Sequence, residues 1–164
     1  MRDLDLKALR WMRTHGHTPG VEEIAVALGK AGNNGLIWFL LGAVLAILDN
    51  GRWESWLICA LLGPVAIGLN YAVKLVVKRP RPVLEGLPPL GGAPSSLSFP
   101  SAHATSSFAV ATAMVRVDPA MSAAFLVAIA LSLGRPYLGM HYPSDVLAGA
   151  LLGVVLGLIV PLTF

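Results

Sequence analysis

At 164 residues, 55% hydrophobic and only 13% charged, the chain carries far less charge than the roughly 25% of a soluble domain, which excludes a water-soluble globule. Twelve Lys and Arg against nine Asp and Glu leave a net charge of +3. In so apolar a chain that excess points to lipid headgroups and an anionic substrate, and away from nucleic acid. A single cysteine, Cys59, excludes an internal disulfide and reads as a small core residue.

The N-terminal stretch MRDLDLKALRWMRTHGHTPG holds no apolar run before a small-residue cleavage site, so it does not read as a secretory signal. Leu4, Leu6, Leu9, Trp11 and Met12 interleave with Arg2, Lys7, Arg10 and Arg13, and Val21, Ile24, Ala25 and Leu28 share one helical face. Both patterns predict helices lying in the membrane interface. Five candidate spans follow. Leu36–Leu48 is short against the about 20 residues of a usual crossing. Ser55–Val77 contains Gly63-Pro64, where a kink is expected. The third starts near Ser101 and ends before Arg116, the fourth runs from Ala120 to Leu133, and the fifth from Ser144 to Thr163. Pro82–Pro100, rich in Pro, Gly and Ser, reads as a loop. Gly149, Gly153 and Gly157 recur every four residues in the last span. That spacing admits a close helix neighbour, either within the chain or in a homo-oligomer.

These elements predict one all-α membrane domain over 1–164. Residues 1–33 form its interfacial segment, and 34–164 a polytopic bundle of about five transmembrane helices. With five crossings the N-terminus, the 78–100 loop and the 134–144 segment share a face. That face carries Arg2, Lys7, Arg10, Arg13, Lys30, Lys78 and Arg79, against Arg52 and Arg116 on the other. The positive-inside rule places the first face in the cytoplasm of a cell membrane.

Three polar clusters fall on that face. Lys74 lies within a predicted span, where a charge costs about 2.5–3.5 kcal/mol on insertion scales, so it marks a functional site by default. Lys78 and Arg79, nearer the helix end, read as snorkelling side chains. Pro80 and Pro82 hold Arg81 in an extended segment. In FPSAHATSS, Pro100-Ser101 signals a helix start whose free N–H groups can cradle an anion, with His103 in the same first turn. In GRPYLGMHYPSDVLAG, Pro143-Ser144 opens the last helix, and Asp145 can reach back to one ring nitrogen of His141. The other nitrogen is then free to act as a nucleophile. Capping alone would explain Asp145, but it gives no reason for His141 and Arg135. Lys74, Arg81 and Arg135 suit a tetrahedral dianion, and two histidines suit a nucleophile and a general acid. Only His103, His141 and Asp145 could ligate a metal, and three nearby cations would repel one. The chemistry predicted is phosphoryl transfer through a phosphohistidine, with no metal and no cofactor.

Lys74-x6-Arg81-Pro82, Pro100-Ser101-Ala102-His103 and Arg135-x5-His141-x3-Asp145 together resemble the three-part signature of the type-2 phosphatidic acid phosphatase superfamily. That superfamily also includes vanadium haloperoxidases. The resemblance covers Lys74 to the C-terminus and implies an all-α helical bundle. It implies that His141 attacks phosphorus, that Asp145 orients it and that His103 protonates the leaving oxygen. It also implies that Lys74, Arg81 and Arg135 hold the phosphate, with Ser101, Ala102 and nearby amides, and that water then releases it. The chain departs from the pattern at Ala102, where glycine is usual, and at Gly134, where serine is usual. It also lacks the first of the six spans of membrane members. A haloperoxidase is disfavoured, because such a redox enzyme needs no set of apolar spans. The short chain with amphipathic N-terminal helices is similar to small actinobacterial members. That similarity implies removal of the 5-phosphate from decaprenylphosphoryl-phosphoribose in arabinan-precursor synthesis. Polyprenyl pyrophosphate, phosphatidylglycerophosphate and phosphatidate are the alternative substrates. The alternative outside enzymology is a membrane scaffold or transporter, although a pore has no use for the set His103, His141 and Asp145.

Overall fold

The computed structural model describes residues 2–92 and 96–163. The side chain of Arg2, counted above among the charges of the first face, lies outside the described residues. Within them the chain is helical, without strands: α1 (Arg2–Thr14), α2 (Pro19–Ala31), α3 (Leu36–Leu48), α4 (Trp53–Val77), α5 (Ala102–Val117), α6 (Ala124–Tyr137) and α7 (Pro143–Ile159). Short 3-10 turns precede α3, α4 and α6.

The centre is α5, packed against α4, α6 and α7. Its sequence AHATSSFAVATAMVRV is mostly small, so neighbouring backbones can come close, and most of its length is buried. The closest neighbour is α7. A Cβ built on Gly149 would sit 2.6 Å from the Ser101 carbonyl oxygen, and one on Gly157 would sit 2.5 Å from that of Ala109. One on Gly153 would collide with the carbonyl of Thr105. The glycine stripe is therefore filled by α5 of the same chain. This corrects the expectation that Gly149, Gly153 and Gly157 could present a face to a second copy. Below this contact Trp38, Trp56, Met114 and Leu131 form the apolar core, with the Trp38 indole donating to Ser107 Oγ at 2.9 Å.

Element bounds differ from expectation in instructive places. α4 stays one helix through Gly63-Pro64. α6 continues past Leu133 to Tyr137 and so carries Arg135 in its last turn. α7 stops at Ile159, four residues short of the expected end. Pro161 disfavours helical geometry at the residue before it, and Val160 is extended, with φ −60° and ψ 131°.

By length and apolarity, Asn50–Val77 and Pro119–Tyr137 can each cross a membrane. The pair Pro19–Ala31 and Asn33–Leu48, bent by 53° at its break, qualifies only as a unit, and Pro143–Ile159 is a shorter apolar helix. The bend coincides with two left-handed residues, Asn34 (φ 54°) and Gly35 (φ 72°). Leu57, Leu61, Val65 and Leu69 on α4, and Leu147, Leu151 and Val155 on α7, are exposed at helical spacing. Such stripes suit lipid, because a monomer in water rarely leaves contiguous apolar surface uncovered. On α1 the arrangement is unusual: Leu4 and Trp11 point outward while Asp5, Leu9 and Arg13 are buried.

Candidate active site

Four helix ends and one extended segment converge. α5 and α7 start side by side, joined where the Ser101 amide donates to the Asp145 carbonyl at 2.9 Å. α4 and α6 finish beside them, bringing Lys74 and Arg135. The chain leaving α4 is held extended by Pro80 and Pro82, and its two arginines diverge: Arg79 turns to Asp145 and Arg81 to His141.

Asp145 is fully buried in the first turn of α7. It accepts from the Tyr142 amide at 2.9 Å, from Arg79 Nη1 at 2.7 Å and from the Ser98 hydroxyl in a short hydrogen bond. Its Oδ2 lies 3.4 Å from His141 Nδ1. Capping and orienting His141 are thus done by one carboxylate. Arg81 Nη1 lies 3.2 Å from His141 Nε2. A guanidinium only donates, so Nε2 presents a lone pair and the ring proton sits on Nδ1, toward Asp145 and Ser98. His141 lies in the loop between α6 and α7. Burial, opposed by Asp145 and reinforced by Arg81 and Arg135, pushes its imidazole down to about 3. It is therefore neutral across the physiological range, the state in which an imidazole nitrogen can act as a nucleophile.

In front of His141 lies a cavity of about 130 Å³, room for about four waters at roughly 30 Å³ each. Lys74, Arg81, Ala102, His103, Arg135 and His141 all line it. Six of the eight residues singled out from the sequence are thus brought together. Asp145 stands behind His141. Ser101 is buried, does not line the cavity, and leaves its Oγ without a partner. The cations are poorly compensated. Lys74 Nζ donates to the Leu97 carbonyl at 2.6 Å. Arg81 binds Ser96 and the Met140 carbonyl. Among the described residues the Arg135 guanidinium hydrogen-bonds only to Met140 Sδ at 2.7 Å, and its Nε is buried without a partner. Among the described residues none of the three meets a carboxylate. Buried charges are normally paired, so this cluster is built for an anion that the chain does not itself supply. His103 Nε2 lies 2.9 Å from the Gly29 carbonyl, which can only accept, so that nitrogen carries a proton.

Three contributors went unassigned in the sequence. Arg79, read as a snorkelling surface residue, is the cation that holds Asp145. Ser98 is the hydroxyl behind the same carboxylate. The wall opposite α5 comes from the turn between α2 and α3, through Gly32, Asn33 and Asn34. A second, mostly apolar groove of about 640 Å³, lined by Pro82, Val83, Leu84 and Leu97, shares Arg81 and Ser96 with the cavity in front of His141.

The PAP2 superfamily pattern matches residues 53–164, the segment that holds all eight of those residues. The chain belongs to the PAP2 superfamily. It is 37% identical over 142 residues to the decaprenylphosphoryl-5-phosphoribose phosphatase of Mycobacterium tuberculosis (strain CDC 1551 / Oshkosh), covering 87% of this chain and 80% of that one. Among solved structures, LpxE of Aquifex aeolicus aligns with a TM-score of 0.79 and 27% identity, over 95% of this chain and 93% of that one. The PAP2-type phosphatidylglycerolphosphate phosphatase of Bacillus subtilis shares the fold, with a TM-score of 0.75 at 24% identity over 96% and 83% of the two chains. The wall formed by Gly32, Asn33 and Asn34 lies outside the PAP2 match.

Proposed function

We propose that this protein is an integral-membrane, metal-independent phosphatase. It removes the 5-phosphate of decaprenylphosphoryl-5-phosphoribose through a phosphohistidine. One observation carries the chemistry: the Nε2 lone pair of His141 faces a cavity whose three cations, two of them buried, have no carboxylate partner among the described residues. Nε2 attacks phosphorus in line with the ester oxygen, and the P–O bond breaks as the P–N bond forms. Lys74, Arg81 and Arg135 hold the equatorial oxygens, where charge is stabilised most when it is pre-organised. Asp145 balances the positive charge that grows on the imidazole. His103, made doubly protonated by the bound phosphate dianion, gives its Nε2 proton to the departing alkoxide and becomes a neutral imidazole, exchanging the Gly29 carbonyl for the leaving oxygen. In the second step His103 takes a proton from water, the water oxygen attacks phosphorus, and His141 leaves as a neutral imidazole with inorganic phosphate as product.

The substrate rests on the 37% identity to the mycobacterial phosphatase and on the apolar groove that opens from Arg81 and Ser96, a path for a prenyl chain. In this reading α3 to α7 make five crossings, and the site faces the cytoplasm, where the basic residues gather. Phosphate release by purified protein from a panel of lipids tests the assignment. The panel holds decaprenylphosphoryl-5-phosphoribose, a polyprenyl diphosphate, phosphatidylglycerophosphate and phosphatidate, each with and without chelator. The first lipid turns over fastest, and chelator has no effect. Preference for the diphosphate would overturn the substrate, and inhibition by chelator reversed by a divalent ion would overturn the metal-free mechanism. An impermeant thiol reagent leaves Glu85→Cys unmodified in intact cells if the face is cytoplasmic.

A further inference from the structure

Helix α1 reaches into the site. Asp5 is only 8% exposed, and its carboxylate serves two elements at once. Oδ1 accepts from the Ser144 amide at 3.1 Å, while Oδ2 accepts from Arg79 Nη2 at 2.8 Å and from the Ser144 hydroxyl. Arg79 Nη1 reaches the other way, to Asp145 Oδ1 at 2.7 Å and Ser144 Oγ at 2.8 Å. The guanidinium is therefore a bridge between two carboxylates, and its face rests 3.9 Å over the Tyr142 ring. Burial pushes the Asp5 carboxyl up, but its hydrogen bonds to Arg79 and Ser144 outweigh this and hold it below the usual range, so it is ionised.

The charge count of this chain of contacts is informative. Asp5, Arg79 and Asp145 together carry one net negative charge. Were Asp5 absent, Arg79 and Asp145 would neutralise each other. Nothing would then be left over for the imidazolium that His141 becomes when it attacks phosphorus. Resting on the proposed phosphohistidine chemistry, we infer that Asp5 is a positioning residue for that step. It occupies one side of Arg79 and anchors the opening of α7, so that Asp145 keeps its charge for His141. Asp5 lies outside the region that matches the family pattern, 139 residues from Ser144 in sequence. It touches neither the cavity nor its three cations. Helix α1 does not depend on it for its seat, since Leu9 is fully buried and Arg13 donates to the carbonyls of Pro88 at 2.8 Å and Tyr137 at 3.3 Å.

The test compares wild type with Asp5→Asn and Asp5→Glu on whichever lipid phosphate the wild type turns over fastest. Affinity for inorganic phosphate and the melting midpoint are measured alongside. Asp5→Asn is expected to lower kcat by about tenfold or more, the scale on which supporting residues act on the groups they orient. Its KM and phosphate affinity stay within about twofold, because the cavity cations are untouched. Asp5→Glu, which restores the charge, recovers most of kcat. A folded Asp5→Asn protein with wild-type kcat would overturn the inference. So would a kcat loss in both variants that tracks a lowered melting midpoint, since the role is then structural. A wild type that releases no phosphate from any lipid would instead sink the proposed function.

Discussion

Where α4 starts and α5 and α7 finish, positive charge is answered at every point. Arg52 pairs with Asp49 at 2.7 Å and Asp118 at 3.0 Å and donates to the Val117 carbonyl. Arg116 caps the last turn of α7 through the carbonyls of Gly157 at 2.7 Å and Val160 at 2.9 Å. At the opposite end of the bundle Lys74 and Arg135 are buried and Arg81 is half-buried against carbonyls, a hydroxyl and a thioether, and among the described residues of this cluster only Arg79 meets carboxylates. The first arrangement finishes helices. The second keeps charge unspent around a small, partly enclosed cavity, where an arriving phosphate gains more from it than in open water.

The contrast can be broken from either side. The largest effect is expected from His141→Ala, which removes the proposed nucleophile and leaves the cations in place. Turnover of lipid phosphate falls by roughly three orders of magnitude or more, as for other lost nucleophiles, while binding of inorganic phosphate persists in calorimetry. Arg135→Met comes next. It removes a buried cation with no charged partner, so catalysis falls by about a hundredfold or more. The melting midpoint in detergent rises, because replacing an unpaired buried charge by an apolar side chain of similar length removes a desolvation cost. The matching change at the far end, Arg52→Met, does the reverse: the melting midpoint drops slightly and kcat is unchanged. Equal behaviour of the two variants would dissolve the distinction between the ends.

The smallest effect is on acid stability. His141 is held at about 3 in the folded chain against an ordinary 6.5. Between those values the unfolded state takes up a proton that the folded state refuses, so stability falls as pH drops below 6.5. Asp5, whose carboxyl is held low, adds stability that is present above its ordinary 3.8 and lost on further acidification. Melting midpoints measured from pH 7.5 to 4.5 should decline, and His141→Ala should flatten that decline. A wild-type profile as flat as the variant's would mean the imidazole is not held neutral by burial.

Much of the site was legible because its parts are local. Lys74 and Arg81, the first turn of α5, and His141 with Asp145 each sit within a dozen residues of their neighbours. Proline punctuation marks where helices begin and end. What escaped depends on direction and distance. Arg79 read as a snorkelling side chain because its position two residues before Arg81 does not show direction: the extended backbone between them sends one to Asp145 and the other to the cavity. Asp5 sits on a helix whose pattern resembles a lipid-facing amphipath, and its partners Arg79 and Ser144 lie 74 and 139 residues away. The number of crossings was hard to read for a related reason. The apolar faces of α4 and α7 point outward, but α5 is surrounded by its own helices. It is built from alanine, serine and threonine, whose value lies in smallness and not in hydropathy. The fourth span was expected to end at Leu133, yet α6 runs on through Pro136 to Tyr137, so Arg135 arrives on a rigid element and not in a loop.

The glycines of α7 give the scaffold a mechanical character. With almost no side-chain thickness between them, α5 and α7 behave as two blades of one shear, touching along most of their length, with the tips at Ser101 and Asp145. A wedge driven in at Gly157, four turns from the reacting atoms at 3.6 residues per turn, cannot be absorbed where it enters. It would be delivered as an opening at the tips, between the helix that carries His103 and the helix that aims His141.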